Sequence, residues 1–171
     1  MTKMLDSLGA MALELVASEV RIVASLEGGL DRILDRIDRT AKSEFGVYQG
    51  PAGPFPAWAE LAQSTKDDRV AQGYSENDPL LREGELQESI AHEREGLEGV
   101  VGSISDIMPY DEFGTEKMPP RPVLGPAAVR NKSAIETLVG AALVTGLIGQ
   151  DVFGEGEQIA IHESLGYDFK V

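Results

Sequence analysis

The segment Tyr110–Ala127 constrains the fold of this chain more than any other, because four of its residues are prolines. Each proline fixes φ, removes a backbone hydrogen-bond donor and pushes the preceding residue towards extended geometry. The segment therefore predicts neither a long helix nor a central strand, but a rigid, extended arm with an element on either side. Arms of this kind commonly place one part of a protein against another body, which makes this segment the first candidate for function.

The composition describes an acidic chain of ordinary apolar content. Its 171 residues include fifteen basic and twenty-nine acidic ones, which gives a formal net charge of −14. This length fits one domain with extensions and a genuine core. Proteins that grip nucleic acid neutralise its phosphates with Lys and Arg, so this charge argues against such binding and favours a surface that repels DNA. The absence of cysteine excludes disulfides and thiolate metal sites.

The sequence offers no membrane signal. The first eleven residues contain Lys3 and Asp6 and have no apolar region followed by a cleavage site, so we predict no signal peptide. The longest nearly unbroken apolar run, Leu138–Ile148, is too short to span a bilayer. The chain is therefore expected to be made in the cytoplasm and to have no membrane partner.

The first forty residues are predicted to be helical. Apolar residues recur at steps of mostly three and four, along one stripe of a helix with 3.6 residues per turn. Gly28 and Gly29 either divide this run into two helices or bend one long helix. A continuous helix of about forty residues would be about 60 Å long, which exceeds the diameter of such a domain and would require a partner chain beside it. The stripe consists of Leu5, Leu8, Ala12, Leu15, Val23, Leu26, Leu30, Ile33, Ile37 and Ala41.

Loops and a short helix are predicted next. Phe45–Ala57 is a loop, because its glycines and prolines forbid regular structure. The following short helix has Trp58, Leu61, Ala62 and Thr65 on one face. Trp58 is expected to anchor the core, although a lone tryptophan can also be buried at a subunit contact. The polar stretch Lys66–Pro79 is expected to be a mobile loop.

A second short helix is predicted to open near Glu83-Gly84, within Leu80–Ile90. Two strands, Ala91–Glu95 and Leu97–Ser105, follow as a hairpin with Gly96 or Gly99 near the turn.

After the arm, Pro126–Ile148 is predicted to be one helix with Pro126 in its first turn. Residues 151–171 form an acidic extension with a short strand at Ile159–Ile161 or an ordered tail. The predicted fold class is α+β, with N-terminal helices, a small antiparallel sheet, the proline-rich arm and a C-terminal helix. The predicted division is a helical segment at residues 1–44, an α+β domain at 45–150 and the extension at 151–171.

No motif for catalysis, cofactor binding or metal binding is found. His92-Glu93 and His162-Glu163 each lack the second histidine of a zinc-protease helix, and no serine lies in a Gly-x-Ser-x-Gly motif. The densest carboxylate pairs, Asp111-Glu112 and Glu83/Glu85, could do acid-base chemistry only in a cleft that separates their pKa values. We therefore predict no catalytic, cofactor-binding or metal-binding residue.

Five short stretches occur in a characteristic order. They are Trp58-Ala59-Glu60-Leu61, Leu80–Ile90, Val101-Gly102-Ser103, Tyr110–Thr115 and Met118–Ala127. Their order resembles that in the tail-completion and neck proteins of long-tailed phages, including the phage virion morphogenesis protein family. Glu83 and Val123 stand where threonine and phenylalanine are expected in that family.

The resemblance implies a structural protein of the virion, without catalysis and without a cofactor. Such proteins form homo-oligomeric rings, generally hexamers, at the neck. There they join the head connector or stopper to the tail terminator or tail tube and complete the tail. DNA passes through the ring without specific binding.

The proposed subunit-contact arm consists of Phe113, Gly114, Thr115, Pro119, Pro120, Arg121, Pro122 and Leu124. Phe113 is expected to anchor a short element under the sheet, and Gly114 to make the turn. Arg121 is expected to pair with a carboxylate or carbonyl, within the subunit or across the interface. Leu124 is expected to re-enter a core. The same segment could instead connect two elements within one subunit.

Two functions of other classes remain open from the sequence. One is a small acidic hydrolase or processing factor whose carboxylates do chemistry, and the other is an acidic adaptor that binds a basic partner. An enzyme should have a concave pocket lined by Asp or Glu residues of separated pKa. A ring protein should have apolar patches on two opposed faces.

Overall fold

The computed structural model describes residues 7–149, in which helices accompany one two-stranded antiparallel sheet. This composition confirms the predicted α+β class. The predicted strand at Ile159–Ile161, the acidic extension and His162 lie outside the described residues. The elements are α1 (Leu8–Ser43), α2 (Gln63–Ala71), α3 (Glu85–Glu88), β1 (Ile90–Glu95), β2 (Glu98–Ser103), α4 (Met108–Phe113), α5 (Leu124–Arg130) and α6 (Lys132–Ile148).

The predicted N-terminal helix is confirmed as the single helix α1, which continues through Gly28 and Gly29. Its predicted apolar stripe is buried mainly towards the C-terminal end. Ile33 and Ala41 are buried, whereas Leu8 and Leu15 are exposed. Apolar side chains in the first turns of α1 are therefore exposed.

The chain divides into two compact units whose boundaries lie inside helices. Of the described residues, unit 1 takes those up to Leu30 and those from Thr137 onwards, and unit 2 is Asp31–Glu136. These boundaries differ from the predicted ones at residues 44 and 150. The difference arises because α1 and α6 each contribute residues to both units.

Unit 1 brings parts of α1 and α6 into close contact. The hydroxyl of Ser25 donates a 2.7 Å hydrogen bond to the carbonyl oxygen of Ala142. A Cβ atom placed on Gly29 would lie 2.8 Å from the Cβ of Ala142, and one on Gly146 would lie 2.5 Å from the Cα of Ile22. Small residues on both helices therefore allow their backbones to approach closely.

Unit 2 contains the core, which collects buried side chains from elements far apart in sequence. Trp58 is among them, so its predicted role as a core anchor is confirmed. The buried members of this cluster are Ala41, Phe45, Trp58, Ile90, Met108, Val123 and Ala127.

The predicted hairpin is also confirmed. Strands β1 and β2 pair antiparallel from Ile90↔Ser103 to Glu95↔Glu98. Gly96 supplies the turn with φ of +57°, a conformation that glycine adopts at little cost. A Cβ atom on Gly99 would lie 2.6 Å from a methyl carbon of Leu34, so this position keeps β2 close to α1.

The helix predicted around Trp58 is wrong in position, because α2 begins only at Gln63. The backbone N–H of Trp58 donates to the carbonyl oxygen of Gln49 instead of entering a helix. The expected loop Lys66–Pro79 is likewise helical as far as Ala71. Side-chain hydrogen bonds four residues apart, such as Gln63 to Asp67 at 2.9 Å, stabilise this polar helix locally.

The predicted single helix Pro126–Ile148 is wrong, because Asn131 divides it into α5 and α6. The buried Asn131 amide donates to the carbonyl oxygen of Ala127 and to the hydroxyl of Thr40, both at 2.8 Å. Its oxygen accepts a 2.7 Å hydrogen bond from Arg36. An asparagine side chain that bonds nearby backbone in this way competes with helix continuation. Pro126 does lie in the first turn of α5, as predicted.

Candidate functional site

The arm begins with a short helix and ends at another. Tyr110–Phe113 belong to α4, residues 114–123 are non-helical, and α5 begins at Leu124. A small bridge between Thr115 and Met118 closes a turn within the non-helical part. The backbone N–H of Thr115 donates to the carbonyl oxygen of Met118 at 2.8 Å, and the reverse hydrogen bond measures 3.3 Å.

Gly114 makes the predicted turn, and its position requires glycine. Its φ is +71°, and a Cβ atom there would lie 2.8 Å from both the carbonyl oxygen of Met118 and the nitrogen of Pro120. The left-handed conformation and the crowding both exclude a larger residue.

Arg121 fixes the far end of the arm to the body of unit 2. Its guanidinium donates to the carbonyl oxygens of Ala59 and Glu60 at 3.1 to 3.2 Å. Its backbone N–H donates to the carbonyl oxygen of Asp111 at 2.6 Å. Arg121 is buried, and its partners belong to the same chain. Of the two predicted alternatives, pairing within the subunit and pairing across an interface, the structure has the first.

Trp58 holds the next residue of the arm. Its indole Nε1–H donates a 3.0 Å hydrogen bond to the carbonyl oxygen of Pro122. Both Trp58 and Pro122 are buried. The indole N–H can only donate, so the carbonyl oxygen of Pro122 is the backbone group that accepts it.

Glu112 links the two helices that flank the arm. Its Oε1 accepts hydrogen bonds from the backbone N–H groups of Val123 and Leu124, at 2.8 and 2.7 Å. These groups open α5, which has no side-chain cap of its own. A carboxylate at this end of a helix satisfies free N–H groups and complements the helix dipole. Leu124 packs against the core of unit 2, as predicted.

Phe113 does not anchor the arm under the sheet, because its side chain is 83% exposed. In α4 the buried residues are Met108 and Asp111. At 100° per residue Phe113 lies about 200° round the helix from Asp111, so it points away from the core. Tyr110 and the preceding Ile107 are also exposed. Ile107, Tyr110 and Phe113 form what we term the arm patch.

The proposed contact residues thus fall into two groups. Phe113, Thr115, Pro119 and Pro120 are exposed, and Gly114 is half-buried between them. Arg121 and Pro122 are buried and Leu124 is half-buried, so these three hold the arm in place. Only the first group has side chains available to a partner.

A cleft of about 660 Å³ lies against the arm, and Ile107 of the arm patch is among the residues that line it. Asp111, Lys117 and Arg121 line it from the arm, opposite Arg69 of α2 and Leu86 of α3. Burial raises the pKa of Asp111 to about 6, although the Arg121 guanidinium lowers it and the nearby Glu112 carboxylate raises it further. Glu112 itself is bonded to α5, so the adjacent pair Asp111-Glu112 does not present two carboxylates to the cleft.

A second buried carboxyl group, that of Glu44, was not singled out from the sequence. Burial raises its pKa to about 7, although the paired Arg130 guanidinium lowers it. The apolar residue Phe45, next in the sequence, is a sign that Glu44 is buried. The sequence gives no sign of the ion pair with Arg130, because Arg130 lies 86 residues away.

No metal site is found in the part of the chain that the structure describes, where no three His, Asp or Glu side chains lie together. His92 is half-buried and its Nε2 lies 3.4 Å from an oxygen of Asp35, so it faces α1. None of the helices within residues 7–149 is long and apolar enough to cross a membrane.

The arm is therefore a stiff, internally bonded segment that presents an apolar patch. Comparison with known proteins adds no relative, since no family model, curated protein or solved structure matches this chain.

Proposed function

We propose that this chain is a structural protein of the neck of a phage or phage-like particle, which joins the head connector to the tail tube as a ring and acts without catalysis. The observation that carries the proposal is the exposed arm patch, Ile107, Tyr110 and Phe113, next to a segment that hydrogen bonds within the subunit hold in place. Exposed clusters of this kind mark contact sites for other proteins.

The chemistry of the arm patch suits a protein partner. Aromatic side chains are enriched at the centres of interfaces, where they bury large areas with few rotatable bonds. The hydrogen bonds of Glu112 and Arg121 fix the backbone on both sides of Phe113 before any partner arrives. Less conformational entropy is then lost on binding than for a free loop.

The stretches that carry the resemblance to neck proteins contact one another in unit 2. Trp58 bonds Pro122, Arg121 bonds Ala59 and Glu60, and Ile90 lies in the same core. Motifs that occur in a shared order because they pack together in the fold are expected to contact one another in this way, since each motif then stabilises its neighbours.

A closed ring of identical subunits needs two different contact surfaces on each subunit. Unit 2 has the arm patch, and unit 1 has exposed apolar side chains on α1, such as Leu13 and Val20. The net charge of −14 further suits a ring through which DNA slides, because a negative wall does not hold phosphates.

The proposal is tested by mixing the purified chain with tail tubes and head connectors made from the genes that flank its own. We expect the chain to co-sediment with the tubes and to form a ring at one end in electron micrographs. Phe113→Ser should abolish this binding, because it removes the largest exposed side chain of the arm patch.

Val100→Ser is the matched control, because Val100 is an exposed apolar residue of unit 2 on the hairpin. This variant should bind as the wild type does. A chain that stays monomeric both alone and with tail tubes, or flanking genes unrelated to head or tail, would count against the neck function.

A second candidate function rests on Asp111, a buried carboxyl group of raised pKa beside a cleft. Such a group is a candidate general acid. The hydrolase alternative predicts that wild-type protein cleaves a panel of ester, phosphoester and glycoside substrates, and that Asp111→Asn abolishes the cleavage. Equal inactivity of both proteins would remove this candidate.

A further inference from the structure

Two buried arginines line the cleft that lies against the arm. Arg69 and Arg121 are 4% and 5% exposed. The guanidinium of Arg69 donates to the carbonyl oxygens of Ser75 and Leu81, both at 2.6 Å. That of Arg121 donates to the two carbonyl oxygens just before Leu61. These acceptors are neutral, so they hold the guanidinium groups in place without cancelling their charges.

Both guanidinium groups keep hydrogen-bond donors for a ligand. Within residues 7–149 no carboxylate accepts a hydrogen bond from Arg69 or Arg121, and the Nη1 group of each donates none. Arginine is rarely buried in a folded protein unless it is paired. Two unpaired arginines that line one cleft of about 660 Å³ therefore indicate an anionic ligand. The volume is in the range that holds one small ligand or a few residues of a peptide.

The other charges of the cleft leave its interior positive. Asp111 is the third buried charged residue in the lining, and within the described part of the chain its carboxyl group accepts no hydrogen bond. The interior thus has a net charge of +1 when Asp111 is ionised, in a chain of net charge −14. The three acidic and two basic side chains at the rim are exposed, so water and salt screen them. They are Glu60, Arg82, Glu83, Glu85 and Lys117.

We infer that the cleft binds the acidic extension of this chain, residues 151–171, through a carboxylate of the extension and an apolar side chain beside it. The extension contains five acidic residues and one lysine, which give it a net charge of −4 with its histidine neutral. Its charge is therefore complementary to the interior of the cleft.

The apolar residues of the extension match the rest of the cleft. Acidic and apolar residues lie close together in Asp151-Val152-Phe153, Glu157-Gln158-Ile159 and Tyr167-Asp168-Phe169. A segment of this kind can pair a carboxylate with Arg69 or Arg121 and bury a neighbouring side chain. The apolar lining consists of Leu61, Leu80, Leu86, Ile107 and Met118.

The covalent connection also favours this occupant over a separate peptide, because a tether raises the effective concentration of the bound group. In a ring, the same contact could join one copy to the next. The inference does not rest on the neck function, since the purified chain alone tests it.

Cross-linking in the full chain identifies what lies in the cleft. The chain has no cysteine, so a single cysteine carries a benzophenone label at one position only. Label on Lys117→Cys, at the rim of the cleft, should cross-link to residues 151–171 on illumination, as read by mass spectrometry. Label on Glu98→Cys, on the hairpin and outside the cleft lining, should give little of this product. Equal yields at both positions, or no product from Lys117→Cys, would overturn the inference.

Calorimetry at pH 8 measures the affinity, with a synthetic peptide of residues 151–171 as the probe. The receptor is the full chain in which the five acidic residues of the extension are replaced by Asn or Gln. The peptide should bind this receptor at one site, and should bind the wild-type chain at least about tenfold more weakly, because the acidic extension of the wild type competes. Absence of binding, or equal binding to both chains, would overturn the inference.

Two substitutions in the same receptor should shift the affinity in opposite directions. Arg69→Met should weaken binding at least about tenfold, because it removes a buried charged donor. Asp111 has a pKa of about 6 and is ionised at pH 8, so Asp111→Asn should tighten binding at least about threefold by removing a like charge. Arg39→Met and Asp106→Asn make the same changes at exposed positions outside the cleft and should have little effect.

Circular dichroism checks that Arg69→Met folds, and Asp111→Asn decides the question if it does not. Weaker binding in Asp111→Asn would overturn the inference, because the cleft would then prefer a cation or a neutral donor. Shifts of the same size in the two exposed controls would overturn it too.

Discussion

The indole nitrogen of Trp58 donates a hydrogen bond to the carbonyl oxygen of Pro122, 64 residues later, at 3.0 Å. This contact joins the loop before α2 to the end of the arm inside the core of unit 2. It places the core anchor and the arm in one structural unit, and the first prediction tests that coupling.

Trp58→Phe should lower the free energy of unfolding by about 1 to 3 kcal/mol, because the buried Pro122 carbonyl oxygen loses its partner and the smaller ring leaves space. Urea unfolding followed by far-ultraviolet circular dichroism measures this, since the variant has no tryptophan fluorescence. Tyr110→Phe is the control, because Tyr110 is exposed. An unchanged midpoint in Trp58→Phe would show that the contact does not stabilise the fold.

Arg121→Met should destabilise unit 2 by about 1.5 to 3 kcal/mol, because the carbonyl oxygens of Ala59 and Glu60 lose a charged donor. Arg121→Lys should recover only part of this loss. The lysine keeps a charged donor, but its ammonium group can reach fewer acceptors than the planar guanidinium. Lys117→Met removes an exposed charge from the same arm and should have little effect. Thermal unfolding of the three variants ranks their stabilities. Loss of ring assembly without loss of stability in Arg121→Met would instead place Arg121 at a subunit contact.

Glu112→Ala should cost about 1 kcal/mol of stability, the usual value for losing a helix N-terminal cap. Glu112→Gln should cost less, because its amide oxygen can still accept from Val123 and Leu124. The difference between the wild type and Glu112→Gln reports the charge of the carboxylate at the start of α5, and the difference between the two variants reports its hydrogen bonds. Exposed Glu116, replaced by Ala, serves as the control. Identical chemical denaturation curves for wild type and Glu112→Ala would contradict the capping role.

Glu44 should make the fold less stable as the pH rises from about 4.5 to 7. Its pKa is raised from 4.5 to about 7 in the folded chain, mainly by burial, so between these values the folded state holds a proton that the unfolded state releases. The stabilisation by the protonated carboxyl group is complete below the unfolded pKa and is lost as the pH passes the folded pKa.

The Glu44→Gln variant isolates this effect from the repulsion among the other acidic groups. Between pH 4.5 and 8 the wild type should lose roughly 2 to 3 kcal/mol more than this variant. Exposed Glu98, replaced by Gln, should leave the pH dependence of the wild type unchanged. Parallel stability curves for wild type and Glu44→Gln would rule out a buried carboxyl group that takes up a proton on folding.

Local features of the structure followed from the sequence. The period of apolar residues predicted α1, Gly96 marked the turn of the hairpin, and Gly114 marked the turn of the arm. Each of these depends on the preferences of neighbouring residues, namely helical period and the left-handed conformation open to glycine.

Tertiary contacts decided the rest. Asn131 ends α5 because its side chain forms hydrogen bonds with Thr40 and Arg36 of α1. Glu112 caps α5 because the arm returns to α4 and brings the start of α5 next to it. Arg121 turned inward to two carbonyl oxygens, and Phe113 turned outward because Met108 and Asp111 already filled the buried side of α4. Prolines in the sequence determined that the arm is not helical, since a fixed φ and a missing N–H are properties of the residue itself. The arm nevertheless turns at Thr115–Met118 and returns to α4 instead of staying extended as predicted. Which arm residues are buried and which are exposed depended on partners distant in the chain, and only the folded structure brings those together.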